Sequence, residues 1–448
     1  MLKSSYVFLT SAVLWSLMGC SAEEMASIAQ PPPPPPPPAP VVPATVSRTV
    51  TATPAQCPAG GAANESGPDR NGNGALDDDE VETTSLACGD LVAGDVVVMS
   101  DAEVAQLAGI HAILGNLTIS GSVTDARLPA LQAIGGTLKI TGMQVGQIAL
   151  PKLDSVGGDL VVYNSASLAS LSLRIPTHIH DLTIERCTAL ASLDLTQDRE
   201  ASIGALAVLD NPALTHAAIT TDVAAGIYFG GNAQLGDVAL TLSTIAYDVA
   251  VDTGNALLQD TAPFTVALAS RGRAINIGGE LEFGGKLTQL RSTVPINVQG
   301  RFELSHVLLT TLDETSRIET VGSLFLEFNN QLVSVDALHV RDQIDVISNL
   351  ALRDFHVTTE PQMSRVNVIR NADLTALDFA ELRAVTSFTA RTDPALASLS
   401  LPVLGSADSF SLSNDPVLPT CQAQKIIAKA AIAMHFVQGT DDTAVCAN

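Results

Sequence analysis

The stretch Leu206-Ala-Val-Leu-Asp-Asn-Pro-Ala-Leu214 is the clearest copy of a repeat, because its spacing of apolar and Asn positions returns along most of the chain. Written as a template it is Φ-x-Φ-x-x-N-x-x-L, where Φ is apolar, and it fits again at 227–235, 344–352 and 366–374. Weaker copies of the template fill the gaps. We call the first apolar residue of each copy its marker, and twelve of the fourteen steps from one marker to the next span 20 to 22 residues. The markers are Val96, Leu117, Leu138, Leu160, Leu182, Leu206, Ile227, Val249, Leu281, Phe302, Leu324, Ile344, Val366, Phe388 and Phe410.

A fixed period in the twenties is typical of a solenoid, in which each unit buries one apolar face against its neighbours. The alternating Φ-x-Φ predicts a short strand in each unit. Leu128-Pro129 with Gly135-Gly136 predicts corners, because proline lacks a backbone donor and glycine permits positive φ. The sequence therefore predicts a mainly β, parallel solenoid over residues 91–418, with about 15 coils of about 22 residues.

The Asn position of the template predicts a row of side chains along one bend of the solenoid. A short amide there can hydrogen-bond the backbone of its own bend and of the next one. We expect this ladder to contain the Asn of each clear copy, and we expect a thiol to take the same place in the coil that begins at Leu182. The predicted row is Cys187, Asn211, Asn232, Asn349 and Asn371.

Together with Leu-Pro-x-Leu-x-x-Ile-Gly-Gly at Leu128–Gly136, the template resembles the receptor L-domain family and its leucine-rich-repeat kin. The resemblance implies right-handed coils of short parallel strands over about residues 91–418. Leucine-rich repeats accept Asn or Cys at the ladder position, so a buried, inert thiol is expected at Cys187. The sequence departs from the pattern between Val249 and Leu281, where one step is 32 residues, and after Leu281 and Phe302, which lack the Asn.

The N-terminus has the features of a secreted, lipidated protein. Lys3 precedes an apolar run that ends at Leu17-Met18-Gly19-Cys20, which resembles the bacterial lipobox. We expect a signal peptide at 1–19, a lipid on Cys20 and a Pro-rich linker at 20–55, which makes the membrane a partner through the anchor. The expected location is the bacterial outer membrane or cell surface. An ordinary signal peptide with an incidental Cys is the alternative.

The segment 56–90 is bracketed by Cys57 and Cys88 and carries Asp69–Glu80, which fits D-x-[DN]-x-[DN]-G-x5-E. This pattern predicts a calcium loop with oxygen ligands, the carbonyl being that of Ala75. The alternative is a solvated acidic turn. The cassette also resembles small Cys-bracketed modules of bacterial surface lipoproteins, for which calcium binding is expected. The predicted ligands are Asp69, Asn71, Asn73, Ala75, Asp77 and Glu80.

The remaining cysteines indicate an oxidising compartment. Pairing within each bracketed segment predicts disulfides between Cys57 and Cys88 and between Cys421 and Cys446. Apolar residues at helical spacing within 420–437 predict a helix that closes the stack, so segment 419–448 is expected to be a disulfide-held cap.

The charge of −24 with 23 basic residues argues against nucleic acid as a partner. The sequence contains no Gly-x-Ser-x-Gly, His-Glu-x-x-His or phosphate loop, and its outward carboxylates, such as Glu282 and Glu303, show no common pattern. A metal site at His178 and His180 is an open alternative to an exposed bend. The expected function is a non-enzymatic surface scaffold that binds protein or glycan; a carbohydrate-active β-helix enzyme is the alternative.

Overall fold

A computed structural model describes residues 43–53, 61–142, 144–196, 202–221, 223–252, 261–444 and 446. The N-terminal module is a three-stranded antiparallel sheet in the order β1-β2-β3. Its strands are β1 (Thr45–Thr51), β2 (Gly61–Pro68) and β3 (Thr83–Cys88), and a 3-10 turn at Asp78–Glu80 precedes β3. The linker predicted to reach residue 55 therefore ends earlier, because the alternating Thr-Val-Ser-Arg-Thr-Val-Thr of β1 pairs along the whole length of β2.

From residue 91 the chain forms short parallel strands. In chain order the first are β4 (Leu91–Val92), β5 (Val96–Val98), helix α1 (Asp101–Gln106), β6 (Ala112–Ile113), β7 (Leu117–Ile119), β8 (Asp125–Arg127), β9 (Ala133–Ile134), β10 (Leu138–Thr141), β11 (Gln147–Ala149), β12 (Ser155–Val156), β13 (Leu160–Tyr163), β14 (Ser170–Arg174), β15 (His178–Ile179), β16 (Leu182–Glu185), β17 (Ser192–Thr196), β18 (Ser202–Leu209), β19 (His216–Thr220) and β20 (Val223–Gly230).

The second half continues the same coils. Its elements are β21 (Asp237–Thr241), β22 (Thr244–Ile245), β23 (Val249–Asp252), β24 (Phe264–Ala269), β25 (Ile275–Ile277), β26 (Leu281–Gly284), β27 (Leu287–Ser292), β28 (Ile296–Ser305), β29 (Thr311–Leu312), β30 (Ile318–Glu327), β31 (Ser334–Ile347), β32 (Asp354–Thr359), β33 (Gln362–Ile369), β34 (Ala376–Asp378), β35 (Ala384–Arg391), β36 (Ser398–Ser400), β37 (Ser406–Ser413), helix α2 (Thr420–Lys429) and β38 (Ala431–Gln438). No helix in the described ranges is both long and apolar enough to cross a membrane.

The marker strands pair in the register of the template. Val96 pairs with Leu117, Leu206 with Ile227 and Phe388 with Phe410, and each remaining marker pairs with the next in the same way. The prediction of a mainly β, parallel solenoid of about 15 coils is therefore confirmed. The coil between Val249 and Leu281, which is long in sequence, keeps this pairing, and its residues 253–260 lie outside the described ranges.

One apolar core runs inside the whole stack, from Val92 to Ala430. Like residues lie above one another in it: the rings of Phe388 and Phe410 stack with their centroids 5.2 Å apart. Burying each large apolar side chain contributes about 1.5 to 3 kcal/mol, and no coil can realise that gain without a neighbour. The opposite side of the coils carries a separate parallel sheet in the order β14-β17-β19-β21-β24-β27 and a pair β34-β36.

The paired glycines at the corners are required for close packing rather than for positive φ. A Cβ on Gly135 would lie 2.2 Å from the carbonyl oxygen of Leu114, and one on Gly157 would lie 2.2 Å from that of Gly135. Neither glycine has a left-handed backbone. Most left-handed residues of the solenoid lie four positions after a marker and carry side chains, as at Asp210, Ser348 and Arg370. That bend turns the next residue, the ladder residue, toward the core.

The C-terminal segment differs from the predicted helix. Helix α2 ends at Lys429, and residues Ala431–Gln438 form β38, which pairs in parallel with β37. His435 takes the marker position opposite Phe410, so the coils continue past residue 418. The apolar residues of Ala-Ile-Ala-Met-His-Phe-Val-Gln fit a strand as well as a helix over so short a run, and the open edge of β37 selects the strand.

Candidate functional site

The ladder residues lie in one buried row. Asn211, Asn232, Asn349 and Asn371 are all fully buried, as is Cys187. The backbone N–H of Cys187 donates to Asn211 Oδ1 over 2.9 Å, and that of Asn211 donates to Asn232 Oδ1 over 3.0 Å. Each amide nitrogen donates back to a carbonyl of an earlier coil, such as Asn232 Nδ2 to Val208 O over 2.8 Å. The row therefore satisfies backbone groups that the left-handed bend leaves unpaired.

The structure adds members that the clearest template copies do not reveal. Asn329 occupies the row, and it accepts from the N–H of Val307, which explains how the coil of Phe302 closes without its own Asn. Asp393 and Asp415 continue the row after Asn371. At Cys187, burial raises the pKa of the thiol, which keeps it protonated and unreactive. The ladder is a structural feature, and its fully buried side chains offer no surface to a ligand.

The predicted calcium loop brings four of its proposed ligands together. Asp77 Oδ2 accepts from Asn71 Nδ2 over 2.6 Å and from Asn73 Nδ2 over 2.9 Å. Asp69 accepts the backbone N–H of Asn73 over 3.1 Å and that of Gly74 over 2.9 Å, and Gly74 has φ of 78°. The side chains of Asp69, Asn71, Asn73 and Asp77 thus converge inside the turn.

Glu80 has a different environment from the other four. It is 2% exposed, and its Oε1 accepts the N–H groups of Arg70 over 2.7 Å and Asn71 over 3.2 Å. Its Oε2 accepts the N–H of Asp77 over 3.2 Å. In this arrangement Glu80 holds the backbone of the loop, a role that the sequence motif alone does not distinguish from ligation.

Arg48 ties the loop to the sheet, and the motif gives no sign of it. Its Nε donates to Glu65 over 2.8 Å, one Nη donates to Asp78 over 2.5 Å and the other donates to the carbonyl of Leu76 over 3.1 Å. Glu65 lies opposite Arg48 on β2. Among its described residues, the N-terminal module buries few apolar side chains, namely Ala52, Ala63 and Leu76, so these polar contacts add to a small core.

The donor set fits calcium in its chemistry. The ion takes six to eight oxygen ligands, and Asp69, Asn71, Asn73 and Asp77 offer oxygens from one small turn. The two Asn amides direct nitrogen toward Asp77, and a half-turn of each about χ2 would place oxygen there instead. That turn would break the bonds that Asn71 Oδ1 accepts from the N–H of Asn73 and Asn73 Oδ1 accepts from the N–H of Ala75. Glu80 joins such a set only by giving up bonds to the loop backbone.

An acidic cluster lies on the outer face of the long sheet, where the sequence suggested no common pattern. Arg301 donates to Glu280 over 2.7 Å and to Glu303 over 2.9 Å, and its guanidinium lies 5.2 Å from the ring centre of Phe325. Glu282 pairs in register with Glu303 on the adjacent strand, so both side chains project from the same face.

The pKa values of Glu282 and Glu303 are both raised, in each case mainly because of burial. The positive charge of Arg301 opposes the rise at both residues. The negative charges of Glu282 and Glu327 add to the rise at Glu303. Those of Asp252 and Glu280 add to the rise at Glu282. Only the strand register, which places residues about 21 positions apart side by side, could have revealed this cluster from the sequence.

A second polar cluster involves one of the predicted histidines. His180 Nδ1 lies 2.8 Å from Asp159 Oδ1 and 3.5 Å from Asp181 Oδ2, and the three residues form a group with metal-ligand geometry. The hydrogen bond to Asp159 raises the pKa of His180, with the charges of Asp181 and Asp159 adding to it. All three side chains are well exposed, and the geometry is that of a surface ion pair. The backbone of His178 lies on β15, but its side chain is not among those that the structure describes.

Two adjoining cavities of about 350 and 300 Å³ open between β32, β34 and β36. Both are lined by His356 and Asp378, and we call the two neighbouring cavities together the His356 groove. Buried Leu338 and Val357 provide an apolar floor at one end. His356 is held by Asp336, 2.8 Å from its Nδ1. Polar groups surround the rest: Arg353, Asp354, Thr358, Thr375, Glu381, Ser398 and Ser400.

Some predicted site residues lie outside the part of the chain that the structure describes. Cys20 and Cys57 lie outside the described residues, and the side chain of Cys88 is likewise not described, so the predicted lipid anchor and the Cys57–Cys88 disulfide stay predictions. Cys421 and Cys446 form a disulfide with their Cα atoms 6.0 Å apart. It ties the start of α2 to the end of the chain beyond β38.

Comparison with known proteins adds information on one part of the chain. No curated protein matches the sequence. No solved structure matches it either. Residues 44–88, which span β1 to β3 and the acidic loop between β2 and β3, match the family described as a domain of unknown function, DUF7151.

Proposed function

We propose that this protein is a lipid-anchored bacterial surface protein whose solenoid is a non-enzymatic binding scaffold for a glycan or a protein. The lipid on Cys20 would hold it at the outer membrane or cell surface, and the Pro-rich segment would extend the folded part away from the bilayer. The N-terminal module would bind calcium through Asp69, Asn71, Asn73 and Asp77, with Ala75 and Glu80 completing the set.

The observation that carries the binding proposal is the His356 groove. Each of its two cavities, of about 350 and 300 Å³, has a volume within the range of about 300 to 1,000 Å³ that is common for ligand sites. Ser398, Ser400 and Thr375 offer hydroxyls that both donate and accept, and Asp354 and Asp378 accept. This mixture suits sugar hydroxyls, which also do both. Since carboxylates outnumber Arg353 in the lining, we expect neutral or amino sugars to bind better than acidic ones.

Asp378 is the best residue with which to test the groove, because it lines both cavities and is exposed on β34. Calorimetry of the full mature chain with glucosamine hexamers, dextran and polygalacturonate should show binding of the hexamer or of dextran and none of polygalacturonate. Asp378→Asn should weaken binding by about tenfold or more, the usual cost of losing a charged hydrogen bond. Asp194→Asn, at an exposed strand position in a distant coil, is the matched control.

Unchanged affinity in Asp378→Asn would place the ligand elsewhere on the solenoid. Binding of polygalacturonate alone would contradict the assigned glycan class. If none of the three polysaccharides binds, a protein ligand is left for the scaffold.

The alternative function is a carbohydrate-active enzyme, and the Arg301 cluster is what favours it. A general acid for glycoside cleavage needs a carboxyl with a raised pKa, and Glu282 and Glu303 both have one. Against this, Arg301 forms ion pairs with Glu280 and Glu303, which is the arrangement expected of a structural charge cluster. Loss of turnover in Glu303→Gln would support the enzyme, and the scaffold proposal predicts no turnover to lose.

A further inference from the structure

The last two described members of the ladder are carboxylic acids, whereas the three members directly before them, Asn329, Asn349 and Asn371, are amides. The backbone N–H of Asn371 donates to Asp393 Oδ1 over 2.7 Å, and that of Asp393 donates to Asp415 Oδ1 over 2.9 Å. Both Asp side chains are fully buried. The row therefore ends, next to the α2 cap, in two stacked carboxyl groups inside the core.

A carboxylate reproduces only part of the bonding of an amide in this row: Oδ2 of Asp393 accepts the backbone N–H of Arg391 over 3.1 Å, but it donates nothing when ionised. Asn349 Nδ2 donates to Leu326 O over 2.8 Å, and Asn371 Nδ2 donates to Val346 O over 3.0 Å. An ionised Asp has no hydrogen for such a bond. Consistent with this, Asp415 Oδ2 is buried and has no hydrogen-bond partner among the described residues. A proton on that oxygen would restore a donor to the position.

The surroundings of the pair favour the protonated forms. The pKa of Asp393 is raised to about 7 and that of Asp415 to about 6. Burial is the main cause in both cases, and the charge of Asp415 contributes to the rise at Asp393. The bonds that oppose the rise come from backbone N–H groups and from Asn371. The charged groups on the adjacent elements have exposed or half-exposed side chains; they are Arg370, Arg391, Asp408, Lys425, Lys429, His435 and Asp441.

We propose that Asp393 and Asp415 are a proton-binding pair, and that proton release from it loosens the last coils and the α2 cap. The folded chain holds protons here that the unfolded chain releases near pH 4. Folding stability therefore falls as the pH rises from about 4 to about 7, and it has no further dependence on this pair above that range. The proposal does not depend on which ligand the solenoid binds.

The test is urea unfolding of the full chain between pH 4 and 8. Three proteins are compared: wild type, the double variant Asp393→Asn with Asp415→Asn, and the control Asp373→Asn. Asp373 is exposed and lies two residues after the ladder residue Asn371. The slope of the unfolding free energy against pH gives the number of protons taken up on folding. Near pH 5.5 this number should be about one to two larger for wild type and the control than for the double variant. The variant should also gain stability relative to wild type at pH 8. Equal slopes in all three proteins would overturn the proposal.

Two further measurements keep the test independent of how the double variant folds. Asn349→Asp places a carboxyl in an amide position of the same row, and it should introduce a new fall in stability with rising pH. Hydrogen exchange, corrected for its intrinsic pH dependence, should show β35, β37 and β38 opening more at pH 8 than at pH 5, with β20 unchanged. Equal protection of β37 and β38 at the two pH values would contradict the loosening.

Discussion

The backbone N–H of Asn349 donates to the side-chain oxygen of Asn371, 22 residues later and one coil further along, over 3.0 Å. The same amide of Asn371 donates from Nδ2 to Val346, so one side chain links two coils. Because the bond joins residues at the same place in successive repeats, it recurs wherever that place holds Asn. The ladder is thus a direct consequence of the sequence period.

Replacing Asn349 by Leu should destabilise the chain by about 1 to 3 kcal/mol, since buried backbone groups lose their partners. Urea denaturation measures the loss. Asn330→Leu is the control, because Asn330 is exposed and lies beside the ladder residue Asn329. Equal effects of the two substitutions would mean that hydrophobic exposure or strand propensity, rather than the ladder, sets the cost.

Gly135→Ala should also destabilise the solenoid, by about 1 to 3 kcal/mol, because the new methyl group would overlap the carbonyl of Leu114 and force adjacent coils apart. Gly109→Ala is the matched control: the space around its Cβ is open and its φ is not left-handed. Thermal unfolding compares the two. A tolerated Gly135→Ala would show that the corner relaxes easily.

Calcium should bind the full chain with a dissociation constant on the order of 0.1 to 1 mM, as in other extracellular modules. Asp77→Asn should weaken binding and leave the calcium-free fold unchanged. Glu80→Gln should lower the stability of the N-terminal module even without calcium, because Glu80 accepts three backbone N–H groups of the loop. Asp79→Asn is the control within the loop. Calorimetry that finds no heat at millimolar calcium would leave the segment as an acidic turn.

Cys20→Ala should abolish membrane attachment, because the proposed lipid is attached through that thiol. The mutant protein should be unprocessed or should leave the membrane fraction, as judged by fractionation and intact-mass measurement. Cys187→Ala, which removes the buried thiol of the ladder, is the matched control and should stay membrane-bound. Normal processing and membrane retention of Cys20→Ala would disprove the anchor.

The coil register was predictable because period and alternation act together: shifting any marker by one residue would turn Leu206 or Phe388 out of the core. The reason for the glycines was not predictable, since close approach of Gly135 to Leu114 depends on how coils stack rather than on local backbone preference. The sequence predicts helix where β38 forms, because a short apolar run fits the period of a helix as well as that of a strand. The strand is selected by pairing with the open edge of β37, which the local sequence does not show.

The candidate sites were predictable to the extent that they are local in sequence. The acidic loop is a contiguous motif, whereas Arg48, which holds it, lies 28 residues before the Leu76 carbonyl that it contacts. The His356 groove and the Arg301 cluster bring together residues from successive coils that have no shared motif. Their positions could be paired only once the register of each strand was known.

If the solenoid binds polysaccharides without cleaving them, their chain length should not change in its presence. The full chain is incubated with glucosamine hexamers, dextran and polygalacturonate at millimolar calcium, and the products are separated by size-exclusion chromatography. We expect every polysaccharide to keep its length, including any that binds through the His356 groove. Shortening of a polysaccharide by wild type, abolished in Glu303→Gln and retained in Asp378→Asn, would contradict the scaffold and assign the Arg301 cluster as a catalytic centre.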